Sequence, residues 1–83
     1  MPTTTQLAPP LLHAQFVDGV LVWELRRGDV VDRDGAFPSN TADPLRELRG
    51  LELRIGAAGV VIPKNTLTGD ERAYCSSRGW ALI

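Results

Sequence analysis

The chain has 83 residues, a formal net charge of −1, and 43% hydrophobic and 23% charged residues. That is the make-up of one small globular domain, unlike a disordered chain or a protein built to ride on phosphate backbones. With one Cys and one His it has no internal disulfide and no Cys/His zinc site to staple a fold that, at this size, buries only about 60–65% of its unfolded surface.

Residues 1–10 (MPTTTQLAPP) hold little to bury and end on Pro9-Pro10, so they are expected to form a loose leader, with a single domain over residues 11–83. The leader carries no Lys, Arg or apolar run of the kind a secretory signal needs, and no stretch reaches the ~18 apolar residues of a membrane helix. A lone Cys75 suits a reducing compartment. The expectation is a cytoplasmic protein without a membrane partner.

Residues 11–25 (LLHAQFVDGVLVWEL) are the most legible segment. Asp18-Gly19 between two β-prone runs predicts a two-residue hairpin turn, because both central positions need a positive φ. Folding about that turn pairs Val17 with Val20, Phe16 with Leu21, Ala14 with Trp23 and Leu12 with Leu25. Leu12, Ala14, Phe16, Leu21, Trp23 and Leu25 then share one face, and the pairs His13–Glu24 and Gln15–Val22 take the other.

The polar middle, residues 26–50, begins with Arg26-Arg27-Gly28-Asp29 closing the Trp23 strand. Val30-Val31 reads as a short further strand, Asp34-Gly35 as another turn, and residues 37–40 as loop. Asp43 as N-cap, Pro44 at the first helical position and Gly50 beyond the end frame a one-to-two-turn helix over residues 44–49, with Leu45 and Leu48 inward and Arg46, Glu47 and Arg49 in water.

A second hairpin is predicted over residues 51–63. Leu51, Leu53 and Ile55 alternate with Glu52 and Arg54, Gly56-Ala57-Ala58-Gly59 makes the connection, and Val60-Val61-Ile62 returns to pair Ile55 with Val60 and Leu53 with Ile62. For residues 71–83 two readings compete. A hairpin about residues 76–79 pairs Cys75 with Trp80, whereas a helix would use Thr68 and Glu71 as a capping box and Gly79 as its C′ residue. The short length and Ser76-Ser77 favour strands, and residues 80–83 form a final strand in either case. The fold expected is mainly β, bordering on α+β: a small antiparallel sheet or barrel-like roll of three hairpins with one short helix.

Little in the chain spells chemistry. Setting Gly35 at position 6 of a calcium loop puts Asp32 and Asp34 at positions 3 and 5, but position 1 is then Val30 and position 12 is Thr41, so the pattern fails at both ends. His13 faces Glu24 in the predicted register, a surface ion pair, and no G-x-S-x-G or comparable surround marks Ser76, Ser77 or Cys75 as its nucleophile. Cys75 reads as a small buried hydrophobe. Gly56-x-x-Gly59 lacks the helical and basic setting of a nucleic-acid clamp, and acids interleave with Arg26, Arg27, Arg46, Arg49 and Arg54, cancelling a basic stripe. No metal and no cofactor are expected, and a nucleic-acid partner is disfavoured.

What is left is shape. Exposed strand edges and a long charged segment predict a non-catalytic protein-binding module, an adaptor, regulator or inhibitor, with Arg26, Arg27, Asp32, Asp34, Arg46 and Arg49 as contact residues and a homodimer through a strand edge as one form of association. All nine basic residues but Lys64 are arginine, which with abundant Ala, Gly and Pro suggests a GC-rich source. Small, mildly acidic chains of such origin include phage and mobile-element inhibitors of host defence proteins, anti-CRISPRs among them, and that is the finer expectation. The alternatives are an enzyme or enzyme subunit with a site assembled on oligomerisation around His13 and the aspartates, and a small nucleic-acid-binding β domain.

Overall fold

The computed structural model describes residues 9–83. Most of the expected leader, residues 1–8, lies outside them. Of the rest of it, the Pro10 carbonyl accepts a hydrogen bond from the Ala58 N–H at 2.7 Å.

Three strands open the chain: β1 (Leu11–Val17), β2 (Val20–Arg27) and β3 (Val30–Ala36). Helix α1 (Pro44–Ile55), strand β4 (Gly59–Ile62), a 3-10 turn (Lys64–Thr66), helix α2 (Gly69–Ser77) and strand β5 (Ala81–Leu82) follow. The strands form one five-stranded sheet in the order β3-β2-β1-β4-β5. β1 runs antiparallel to β2, and β2 to β3, while β1, β4 and β5 are mutually parallel neighbours. The architecture is therefore α+β, an open mixed sheet with two helices, and the expectation of a barrel-like or purely antiparallel roll of hairpins is corrected.

The first hairpin matches its prediction pair for pair, from Val17↔Val20 through Leu12↔Leu25. Asp18 and Gly19 adopt φ of 52° and 81°, the two positive values that the two-residue turn demands. The Val30-Val31 strand is longer than expected. It runs through Asp34-Gly35, which pair with Glu24 and Trp23, so the turn predicted there is instead made by Gly28-Asp29 between β2 and β3. The reason is Trp23: its indole lies on the bare backbone of Gly35, where a Cβ would come within 2.8 Å of Trp23 Cζ2. That glycine makes room for a cross-strand ring rather than a bend. A β-bulge at Leu25/Arg26 shifts the β2–β3 register by one residue next to Asp32.

The hairpin predicted over residues 51–63 does not form. Its first strand is the second half of α1, which passes straight through Gly50 and ends at Gly56, whose left-handed φ of 68° lets its N–H cap the Glu52 carbonyl. Asp43 and Pro44 open this helix as predicted, with the Asp43 carboxylate accepting from the Arg46 N–H. Residues 51–55 fit an alternating pattern as well as a helical one; Leu45, Leu48 and Leu51 in one buried stripe decide for the helix. Leu53, predicted to pair with Ile62 in that hairpin, is instead 65% exposed on the helix.

The C-terminal segment takes the helical alternative, which corrects the preference for strands. Thr68 and Glu71 form a reciprocal capping box, with Oγ1 accepting from the Glu71 N–H at 3.2 Å and the Glu71 carboxylate from the Thr68 N–H at 2.8 Å. At the other end the Gly79 N–H reaches the Ser76 carbonyl and the Trp80 N–H reaches Cys75, both at 3.0 Å, the paired bonds of a Schellman stop. Tyr74 and Trp80 meet edge to face across that stop at 5.8 Å.

The topology positions everything else. β3, β4 and β5 run in the same direction, and the crossovers β3–α1–β4 and β4–α2–β5 both step the same way along the sheet. Right-handed crossovers of this kind bring both helices to one face. Burial agrees: Leu45, Leu48 and Leu51 from α1 and Cys75 from α2 share a core with Leu12, Ala14, Leu21, Leu25, Val60, Ile62 and Trp80. Glu52 is the one charged residue buried among the described residues. Its Oε1 accepts from Arg49 Nη1 at 2.8 Å and from the Trp80 indole N–H at 3.1 Å.

Two stability measurements check this packing. Glu52→Ala leaves a buried indole N–H unpaired and should lower the unfolding free energy by about 1–3 kcal/mol, with Glu52→Gln, which keeps an acceptor, costing less. Gly35→Ala should cost about 1–3 kcal/mol by displacing the Trp23 ring. Urea denaturation of each variant measures both.

Candidate functional site

With both helices on one side, the other face of the sheet is left open. Residues paired directly across strands point the same way, so the register lists its members. One row crosses the sheet as Asp34, Glu24, His13, Val61 and Ala81; a neighbouring row is Ala36, Val22 and Gln15. Pro63 and Ile83 close the side beyond β4, and the whole encloses a shallow concavity of about 650 Å³. Its floor is half apolar, with Val22, Val61, Pro63 and Ile83, and half charged, with Glu24, Arg26 and Asp34.

The electrostatics of that charged half differ from the sequence expectation. His13 does sit across from Glu24, but the Glu24 carboxylate is held by Arg26, two residues along the same strand and on the same face. Both Nε, at 2.9 Å, and Nη2, at 2.7 Å, donate to the one oxygen Oε2, a charge-assisted pair that replaces the expected His13–Glu24 contact. Asp34 stands opposite Glu24 from the β3 side and is exposed. Among the described residues it has no ion-pair partner.

The six predicted contact residues do not form one patch. Arg26 and Asp34 line the open face. Arg27 and Asp32 pair with each other at 2.8 Å at the β2–β3 end, beside the bulge. Arg46 and Arg49 lie on α1, on the far side of the sheet. Arg46 is exposed and within 3.6 Å of Asp43, while Arg49 is half-buried and engaged with Glu52. Charge reversal at Arg49 therefore attacks the fold and cannot serve as a surface probe. The concavity's apolar members, Val22, Val61, Pro63 and Ile83, are absent from the predicted set; for the last three the reason is that the sequence pattern places β4 in a hairpin with residues 51–55. The pairs His13–Glu24 and Gln15–Val22 were the available signal for this face, and the parallel β1–β4 pairing that brings Val61 beside His13 had none.

The catalytic alternatives can be located too. Ser76, Ser77 and Cys75 belong to α2, across the sheet from His13, and the described residues that line the concavity include no Ser, Thr, Cys, Lys or Tyr. No three His, Cys, Asp or Glu side chains among the described residues gather closely enough to hold a metal ion. No helix among them is long and apolar enough to cross a membrane. Comparison of the chain with protein-family models, with curated proteins and with solved structures finds no match in any of the three.

Cys75 is wholly buried in the core, and burial first, then the nearby Glu71 charge, push its thiol above the ordinary value of 9.0. The neutral thiol is thus favoured in the folded state. Its contribution to stability is complete below pH 9.0 and is lost as pH rises through the raised value, because only the unfolded chain ionises easily there. Native Cys75 should accordingly react with a disulfide reagent on the order of 100-fold or more slowly than in the denatured chain. Cys75→Ala should flatten the alkaline limb of a stability profile measured from pH 8 upward.

Proposed function

We propose that this protein is a non-catalytic protein-binding module, an adaptor, regulator or inhibitor, and that it meets its partner with the open face of its sheet. The observation that carries this reading is the concavity of about 650 Å³ on a sheet face covered by neither helix, with apolar and charged side chains in adjoining halves. Monomeric domains of this size seldom leave such a surface without use. An apolar floor beside a charged border is also the usual composition of a protein–protein contact.

The broad face is a better candidate than the strand edge. Edge strand β3 carries a bulge together with Asp32, Arg33 and Asp34, and the other edge, β5, is only two residues long, features that discourage another chain from adding to the ladder. Edge-to-edge dimerisation is accordingly the weaker form of association for this chain. The mixture of Glu24 and Asp34 with a single Arg26 on the open face also suits a protein better than a nucleic acid.

Affinity capture from the source cells tests the reading. Val61→Glu, which puts a charge on the floor, should weaken retention of the partner by about 10-fold or more. Arg46→Glu, on the opposite side, should leave retention unchanged. Retention that survives Val61→Glu but fails with Arg46→Glu would overturn the assignment of this face.

A further inference from the structure

Resting on the reading above, we infer that the open face takes a basic, apolar peptide segment of its partner, with an Arg or Lys seated at Asp34 and an apolar side chain seated on Val61 and Ile83. The argument starts from two carboxylates set side by side. Glu24 and Asp34 are direct cross-strand partners on the open face, an arrangement that like charges normally disfavour. Among the described residues that line the concavity, the one Arg or Lys, Arg26, is committed to Glu24 by two contacts to the same oxygen, at 2.7 and 2.9 Å. Asp34 is left at the border of the concavity as an exposed negative charge with no ion-pair partner among the described residues, a charge that a cation from a partner would neutralise.

The apolar requirement comes from the other end of the same row. Val61 is half-buried without a helix over it, and Ile83, two residues beyond Val61's partner Ala81 and lining the same concavity, is 67% exposed. From Asp34 to Val61 the row steps across three strand spacings, β3 to β2 to β1 to β4, or roughly 14 Å at about 4.8 Å each. An extended peptide covers that distance in about four residues at roughly 3.3 Å per residue. The matching motif is thus a basic residue followed or preceded, about four positions away, by a branched apolar one. Gln15, on the neighbouring row, offers an amide that can bond a peptide backbone passing over β1.

A second copy of this chain fits the face poorly. A two-fold axis lying across the strands would set the Asp34 and Glu24 row over its own counterpart. A two-fold axis along the strands would set those carboxylates on Val61 and Ile83. Neither arrangement sets a cation over Asp34.

Selection of a random twelve-residue peptide library on the immobilised full chain tests the inference, with Asp34→Lys and Val61→Glu as counter-targets. Circular dichroism first establishes that both variants are folded; Asp34 is exposed, so the Asp34→Lys arm stands even where Val61→Glu does not fold. The expected result is enrichment of net-positive peptides bearing an apolar residue near the basic one. Their affinity should fall about 5-fold or more with Asp34→Lys and about 10-fold or more with Val61→Glu, and should weaken as salt is raised. Neutral or acidic peptides that still lose affinity with Val61→Glu would overturn the inference while sparing the broader reading of the face. Peptides indifferent to both variants, or the absence of enrichment, would overturn the inference, and indifference would overturn the broader reading as well. A mass in light scattering that rises with concentration and reverts with Val61→Glu would assign the face to a second copy, against the inference.

Discussion

A single carboxylate ties the two halves of this molecule together. Glu52 projects from α1 into the core and takes hydrogen bonds from Arg49, three residues earlier on its own helix, and from Trp80, at the head of β5. β5 contributes only two residues to the sheet, too few to hold a place by ladder bonds alone. The indole of Trp80 supplies the missing anchorage, fixed by Glu52 on one side and by the ring of Tyr74 on the other. A buried charge is tolerable only when its oxygens find donors, and the arrangement makes α1, α2 and β5 mutually dependent. Removing any one of them leaves the others with an unmatched polar group or an empty volume.

That dependence fixes which face of the sheet is free. Because both crossovers advance in the same direction, the helices share one side and are locked there through Trp80. The apolar residues of β1, β2 and β4 that point toward the helices are consumed in the core, and the alternate residues of the same strands have no cover within the described chain. One pleat thus supplies both the stability and the exposed surface, and the residues of the proposed contact face alternate along each strand with those that hold the fold.

The legibility of the sequence followed the locality of the interactions. Residues 12–25 could be paired residue by residue because an Asp-Gly turn and a period-two pattern agree within one short segment. Residues 51–55 misled because Leu51, Leu53 and Ile55 satisfy a strand pattern, and what overrules it, the stripe with Leu45 and Leu48 and the bond from Trp80 to Glu52, spans 28 positions in the second case. Gly35 resembled a turn for a similar reason, since the ring that occupies its missing side chain comes from another strand. At the candidate site, Arg26 and Asp34 were singled out from charge alone. Of their apolar neighbours, Val22 follows from the hairpin register, whereas Val61, Pro63 and Ile83 come in only with the parallel pairing of β1 and β4, an association that no short-range signal announces.

The two tryptophans occupy contrasting positions, and this gives the molecule built-in optical reporters of two separate events. Trp80 is sealed in the core at the junction of helices and sheet, so its emission follows the collapse of the whole domain. Trp23 lies half-buried against the backbone of the outermost strand, so peeling of β3 from its neighbour would wet that indole while the first remained dry. Fraying at the rim and loss of the core thereby acquire different spectral signatures within one unlabelled chain.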